Sequence, residues 1–334
     1  MNNIFNNKII LITGGTGSVG MEIARRLHEY KPKAIRIFSN DEDGLFHTMN
    51  EFKEFDEFRY FLGNIERIDR LNRAMEDVDI VFHAAALKHV QICEYNPFEA
   101  VETNVNGMQN LINSAIDNDV ERVLYTSSDK AVNPSNMMGV SKLMGEKLIT
   151  TANFFKGKHR TIFSTIRFGN VIGSRGSFIP FFNKQIEAGG PITLTDKNMS
   201  RYILVMNEAI DNVFRVLDLS RGGEIFIPKM RAIDISDIAE WMIEEKGKDG
   251  IGIKEIGLKP GEKIYEELIT DEEGRRTVEY DNFYVVIPQF TEFQSVDYSI
   301  YENLPRVDNV LRSDEAVKMS KDETISLLKK ESLL

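Results

Sequence analysis

Residues 8–20, KIILITGGTGSVG, limit the folds open to this chain more than any other stretch. An apolar run ends in Gly14-Gly15-Thr16-Gly17-Ser18-Val19-Gly20, and a helical pattern starts at Ser18. Glycines at 14, 17 and 20 suit a tight turn without Cβ, close backbone approach to a pyrophosphate, and a helix N-terminus aimed at that anion. A glycine motif alone is weak; one lying between a first strand and a first helix has the context its mechanism requires. Gly14, Thr16, Gly17, Ser18, Val19 and Gly20 are therefore expected to hold a dinucleotide.

The pattern then repeats. Strands are expected at Lys8–Thr13, Ala34–Ser39, Arg59–Gly63, Asp79–Ala85 and Arg122–Ser128, with helical stretches near Ser18–Tyr30, Arg67–Glu76 and Pro97–Asp119. Strands alternating with helices imply right-handed βαβ units and a parallel sheet covered on both faces. The runs IILIT, DIVFHAAA and RVLYTS suit strands buried on both sides. The fold class is α/β: a Rossmann-like, doubly wound parallel sheet with a smaller C-terminal α/β substrate lobe. Gly189-Gly190-Pro191, Gly222-Gly223 and Lys259-Pro260-Gly261 punctuate the later chain. The expected division is a dinucleotide domain at 1–170 with later segments returning to it, a substrate lobe at 171–300, and a tail at 301–334 with an amphipathic helix over Ser313–Lys330.

Composition bounds the partners. A formal net charge of -11 argues against a nucleic-acid footprint or an anionic membrane surface. No apolar run approaches a membrane span, and the N-terminus has no basic, cleavable leader. The single cysteine, Cys93, excludes an internal disulfide and reads as a packed thiol in a reducing, cytoplasmic compartment.

The second strand ends at Ser39-Asn40-Asp41. A carboxylate at its tip would hold a ribose hydroxyl and repel a 2′-phosphate. Ser39 there permits NADP, and Asn40 can bond a phosphate without neutralising it, so NADP is favoured and NAD stays open. Asn64, after the third strand, lies where an adenine amino group is commonly held.

Seven segments carry a resemblance: GGTGSVG, HAAALKHV (83–90), TNVNG (103–107), SSDKAVNP (127–134), NMMGVSK (136–142), RFGNVIGSRGSFIPFF (167–182) and KPGEKIYEELI (259–269). Together they resemble the nucleotide-sugar 4,6-dehydratases of the extended short-chain dehydrogenase/reductase superfamily. The likeness is strongest to the inverting UDP-N-acetylglucosamine 4,6-dehydratases, with legionaminic-acid and capsule-pathway relatives close by. It spans about residues 8–290, and the last forty residues carry none of it. One position departs from the superfamily: its Tyr-x-x-x-Lys keeps Lys142 but has Met138 for Tyr, and a thioether exchanges no proton.

The resemblance implies conversion of UDP-GlcNAc or GDP-GlcNAc to a 4-keto-6-deoxy sugar nucleotide for surface glycans, with C5 inversion left open. It makes Lys130 the base at C5 and Asp129 the acid at C6. With Tyr absent, Asp129, alone or through Ser128 or a water, is expected to take the C4 hydroxyl proton. A lysine base must be neutral, so burial and nearby positive charge, from Lys142 and an oxidised nicotinamide, are expected to lower its pKa. Lys142 is expected on the nicotinamide ribose, and Ile65, Ala84, Ala85, Ala86, Lys88 and Asn104 complete the cofactor set, Asn104 serving equally well as a satisfied core residue. Lys88, His89, Arg167, Asn170, Arg175, Ser177, Arg201, Glu262 and Lys263 form the expected sugar-nucleotide set. Glu262 and Glu266 read equally as ribose ligands or exposed helix charges. No metal is expected, and a homo-oligomer is. The alternatives are a nucleotide-sugar 4-epimerase or reductase, and a non-catalytic dinucleotide sensor.

Overall fold

The structure is a computed structural model that describes residues 3–246, 250–291, 296–307 and 309–334. Its first half alternates as the hydrophobic pattern requires. Strand β1 (Ile9–Thr13) leads to α1 (Ser18–Leu27), β2 (Ala34–Ser39), α2 (Glu42–Glu51), β3 (Phe58–Leu62), α3 (Ile68–Met75) and β4 (Ile80–His83). Two short helices, α4 (Val90–Tyr95) and α5 (Pro97–Val101), precede α6 (Gly107–Asp117), β5 (Arg122–Ser128), α7 (Met137–Phe155) and β6 (Ile162–Phe168). The parallel strands lie in the order β3-β2-β1-β4-β5-β6. That order reverses between β1 and β4, and ligands of such sheets bind at the carboxyl ends beside the reversal. Ile10 and Ile12 pack into one core, while Ile9 and Leu11 pack into the core on the opposite face. Successive side chains of β1 thus enter different cores, which is why the strand is apolar throughout.

The later chain serves two bodies. Elements β7 (Asn170–Ile172), α8 (Phe178–Glu187), β8 (Ile192–Leu194), β9 (Ser200–Val205), α9 (Met206–Leu219), β10 (Ile225–Pro228), β11 (Arg231–Asp234), α10 (Ile235–Glu245) and β12 (Ile253–Glu255) follow in turn. They are succeeded by α11 (Asp271–Gly274), β13 (Thr277–Tyr280), β14 (Phe283–Val286) and α12 (Lys321–Lys330). Strand β10 pairs parallel to β6, and the β13–β14 hairpin extends the main sheet antiparallel. The β11-β9-β7 sheet, the β12-β8 pair and helices α8, α10 and α12 enclose a separate apolar cluster around Ile179, Phe182, Ile238 and Met242.

Three elements differ from expectation. The helix expected over Pro97–Asp119 is interrupted by a π turn at Glu102–Asn106. Asn104 inside that turn spends its amide on Leu87, accepting from Leu87 N at 2.8 Å and donating to Leu87 O at 3.0 Å. Helix α12 starts at Lys321 rather than Ser313. Ser313 is buried and bonded to Ser200, and Ser320 starts the helix in a reciprocal cap with Glu323. Helix α2 was not expected; its one signal was Asp41, whose carboxylate accepts from Gly44 N at 2.9 Å.

Candidate active site

A cleft of about 650 Å³ opens at the carboxyl edge of the sheet, over the reversal between β1 and β4. Its floor is the glycine turn. Gly14 has φ +67°, and a Cβ there would lie 2.6 Å from Ala85 N; a Cβ at Gly20 would lie 2.5 Å from Gly14 O. The first turn of α1 carries no acidic residue, so its amides present an uncompensated positive end to the cleft. A cradle that only glycine can line, beneath a helix N-terminus, fits a pyrophosphate. Ser39 turns its hydroxyl to Thr16 Oγ1 at 2.8 Å, and exposed Asn40 and half-buried Asn64 line the same end with Ile65. Ala84, Ala85, Ala86, Val19, Ser18 and Lys88 also line the cleft. Asn104 does not: it is buried, and its amide bonds Leu87 and Ser141. It holds the Leu87 backbone and the Ser141 hydroxyl, so its bonds fit the satisfied core residue rather than the cofactor assignment.

The chemistry-bearing groups lie where β5 ends. Ser128 caps a turn of 3-10 helix over Asp129–Ala131, which brings Lys130 to the cleft wall. Asp129 is fully buried. Its Oδ1 accepts from Ser128 Oγ at 2.9 Å and from Lys130 Nζ at 3.0 Å, while its Oδ2 has no partner. Met138 lines the cleft yet packs with Cys93 and Ala100, filling the tyrosine position with apolar volume. Lys142, one turn further along α7, donates to Thr126 O at 3.0 Å and lies 4.8 Å from the Tyr125 ring centre. Burial lowers its pKa to about 8, partly offset by Glu146. His83, at the end of β4, is held neutral by burial and by Lys142, with a pKa of about 3, and its Nδ1 pairs with Thr13 Oγ1.

Lys130 departs from expectation. Burial does work to lower its pKa, but Asp129 and Glu266 outweigh that and leave it raised. Glu266, which reads from sequence as an exposed charge or a ribose ligand, is 2% exposed with Oε1 3.4 Å from Lys130 Nζ. Its signal was the odd placement of a charge among the apolar residues of IYEELI.

The expected sugar-nucleotide set divides. His89, Asn170, Arg175 and Ser177 line the cleft, with Asn170 Oδ1 and Ser177 Oγ buried and unpartnered. Lys88 Nζ donates to Arg175 O at 2.6 Å, and Ser18 Oγ accepts from Arg175 N at 3.0 Å, so this segment spans the cleft from α1 to the loop after β4. Arg167 is elsewhere. It is fully buried, bonded to both oxygens of Glu146 and of Glu273 and to Leu268 O. Every face of its guanidinium is used, so it joins β6 to α7 and α11 and has nothing left for a ligand; its sequence assignment is corrected. Burial pushes the Glu273 carboxyl up, but Arg167 prevails and holds it at about 2. Arg201 is likewise turned away, donating to the carbonyls of Ser200, Lys263 and Ile264. Lys263 donates to Val132 O at 2.7 Å, and Glu262 folds back on Lys259 N. Arg201 and Lys263 brace the wall behind Lys130, Glu262 stays within its own turn, and none of the three lines the cleft.

A second cavity of about 440 Å³, between α9, β11 and α12, contains none of the motif residues. Among the described residues no His, Cys, Asp or Glu cluster is arranged to hold a metal ion.

A 3-2-1-4-5-6 sheet, a glycine turn at its reversal and a lysine in the helix after β5 define an extended short-chain dehydrogenase/reductase. The chain belongs to the polysaccharide biosynthesis protein family, whose model matches residues 10–288, and within that superfamily it is similar to nucleotide-sugar dehydratases and epimerases. A protein of Methanocaldococcus jannaschii, named an uncharacterized membrane protein, is 46% identical over 340 residues, covering 100% of this chain and 99% of its own. No helix among the described residues is long and apolar enough to cross a membrane. A Campylobacter jejuni protein named UDP-N-acetylglucosamine 4,6-dehydratase (inverting) is 42% identical over 287 residues, 85% of this chain and 84% of its own. The X-ray structure of Pen from Bacillus thuringiensis superposes with a TM-score of 0.92 at 42% identity, covering 99% of each chain. The last forty residues, which carry no motif, are therefore shared with relatives of this architecture.

Proposed function

We propose that this protein is a nucleotide-sugar 4,6-dehydratase acting on UDP-GlcNAc, with inversion at C5. The observation that carries the reading is the Asp129–Lys130 pair where the usual tyrosine is Met138: Lys130 and Ser128 line the cleft, and Asp129 is buried behind them, bonded to both. Such a pair suits a proton taken from C5 and a proton given to a leaving C6 hydroxyl; an epimerase needs neither. The choice of UDP and of inversion draws on the name of the Campylobacter relative. The choice of NADP draws on Ser39 and Asn40 at the end of β2, where the strand tip itself holds no carboxylate and the Asp41 carboxylate beside it is engaged by Gly44 N. The choice of a cytoplasmic setting draws on the lone, buried Cys93.

A nicotinamide dinucleotide, held by Gly14, Gly17 and the α1 N-terminus, would supply oxidation at C4 and the returning reduction at C6. The chain's own groups move the protons. Asp129, buried behind the cleft wall, takes the C4 hydroxyl proton by relay through Ser128 Oγ, which lines the cleft and lies 2.9 Å from Asp129 Oδ1. The resulting ketone acidifies C5–H. Lys130, once its ammonium has released a proton to water in the cleft, takes the C5 proton, while the C5 electron pair forms the C5–C6 double bond and Asp129 returns its stored proton through Ser128 to the departing C6 oxygen, which leaves as water. Inversion requires that, as C6 is reduced, C5 takes its new proton from water on the face opposite Lys130. Lys88, Arg175, Asn170 and Ser177 are the groups we assign to the sugar nucleotide, cations for the diphosphate and unpartnered polar atoms for the sugar.

Incubation with UDP-GlcNAc and, separately, GDP-GlcNAc in deuterium oxide tests this. The expected result is a 4-keto-6-deoxy product from the UDP sugar with deuterium at C5 in the inverted configuration. A C4 epimer without loss of water would establish the epimerase instead. Tight dinucleotide binding with no turnover of either sugar would establish the sensor.

A further inference from the structure

Glu266 has no assigned part in the chemistry above, yet its setting is unlike that of a charge kept for solubility. Its backbone is pinned on both sides by Ser313, Ser313 Oγ accepting from Glu266 N at 3.0 Å and Ser313 N donating to Glu266 O at 2.9 Å. The side chain is 3% exposed. Oε1 lies 3.4 Å from Lys130 Nζ and 3.9 Å from Arg201 Nε, and Oε2 is buried with no partner. A carboxylate retained only for packing would be fully bonded, because an unsatisfied buried oxygen is costly. Glu266 does not line the cleft, so it reaches a ligand only through Lys130.

We propose that Glu266 is a positioning residue for Lys130: its carboxylate holds the Lys130 amine against Asp129 and sets the pH at which that amine is free to accept a proton. The catalytic side of this statement rests on the dehydratase reading. Lys130 is gripped from two sides, by Asp129 Oδ1 on its own turn at 3.0 Å and by Glu266 on the 259–269 segment. Arg201 on β9 is the cation that opposes them. The neighbouring Tyr202 is an un-ionised phenol, and the lysines close by are committed elsewhere, Lys142 to Thr126 O and Lys263 to Val132 O. Once Asp129 has taken the C4 hydroxyl proton its carboxyl is neutral and no longer stabilises an ammonium. Glu266 is then the one remaining carboxylate facing Lys130 among the described residues, and its charge decides how readily the ammonium releases its proton to water in the cleft before the amine attacks C5–H.

Glu266→Gln keeps an acceptor oxygen and removes the charge, so the Lys130 ammonium loses a stabilising partner and its titration moves to lower pH. An anion within 4–6 Å is worth roughly one to three pH units. Competitive trace labelling of the full chain with acetic anhydride, read at Lys130 by peptide mass spectrometry as pH is varied, measures that midpoint without turnover. Glu266→Gln is expected to move it down by about one unit or more, and Glu266→Asp, which keeps the charge, to move it less. In the unaltered protein without added dinucleotide the midpoint is expected above that of an ordinary lysine, about 10.4. This second measurement serves even if neither variant folds. With substrate, the rising limb of kcat/KM against pH is expected to shift with the labelling midpoint. A Glu266→Gln midpoint equal to or above that of the parent, or a parent midpoint below the ordinary lysine value, would overturn the proposal. Loss of activity with an unmoved midpoint would also overturn it, since that is what a purely structural role produces. Absence of turnover in the unaltered protein would count against the dehydratase reading alone, because the labelling result does not depend on it.

Discussion

At the scale of single residues, charge placement separates chemistry from support. Asp129 is fully buried with one oxygen unpartnered, next to the cleft and bonded to both Ser128 and Lys130. Asp129→Asn preserves its shape but accepts no proton. On adding substrate, reduction of bound dinucleotide, followed by reduced-nicotinamide absorbance, is expected to slow by at least about 100-fold. A normal rate would mean that another group takes the C4 proton. Arg167 and Arg175 lie in one motif and read alike from sequence, yet only the fold tells them apart. Arg167→Met strands the buried carboxylates of Glu146 and Glu273, so urea unfolding is expected to show a loss of about 3–5 kcal/mol. Arg175 is exposed and makes no ion pair among the described residues, so Arg175→Met is expected to leave the melting temperature nearly unchanged and raise KM. Equal effects of the two substitutions on stability would contradict this division.

At the scale of elements, the site depends on how closely α7 approaches the turn after β5. A Cβ on Gly139 would lie 2.2 Å from Lys130 O, so the first turn of α7 can seat beside Lys130 only because residue 139 has no side chain. Asn136 caps that turn, accepting from Gly139 N at 2.8 Å. Gly139→Ala is expected to push the Asp129–Ala131 turn outward and to cut kcat by about 100-fold or more, since a displacement near 1 Å costs that much. Far-ultraviolet circular dichroism should stay unchanged; a fully active variant would show that the approach is slack. Strands β1, β4 and β5 were legible because both their faces are largely buried and their runs are mostly apolar. Helix α2 was not, because its polar sequence carries little periodic signal beyond its cap at Asp41. The start of α12 was misplaced because Ser313 to Ser320 has helical composition but spends its polar groups on Ser200, Glu266 and the Ala232 backbone.

At the scale of the whole molecule, the two bodies are tied by strands that leave and return. Strand β10 and the β13–β14 hairpin come from the later chain and complete the main sheet, while α12 closes the second cluster over Met242 and Leu328. The single tryptophan, Trp241, packs on that second cluster. Its fluorescence and far-ultraviolet dichroism are therefore expected to report one coincident urea transition. Two separated midpoints would show that the smaller body unfolds alone. The sequence by itself determined the doubly wound sheet, the glycine cradle and the Ser128-Asp129-Lys130 strand end, because each follows from local spacing and periodicity. Only the tertiary structure decided which charges face the cleft: it drew Glu266 inward to Lys130, turned Arg167 and Arg201 into braces, and left Asn170 and Ser177 unpartnered. The physical reason is that burial and pairing of a charge are set by residues far away in the chain, such as Glu273 for Arg167 and Ser313 for Glu266, and no local pattern encodes those distances.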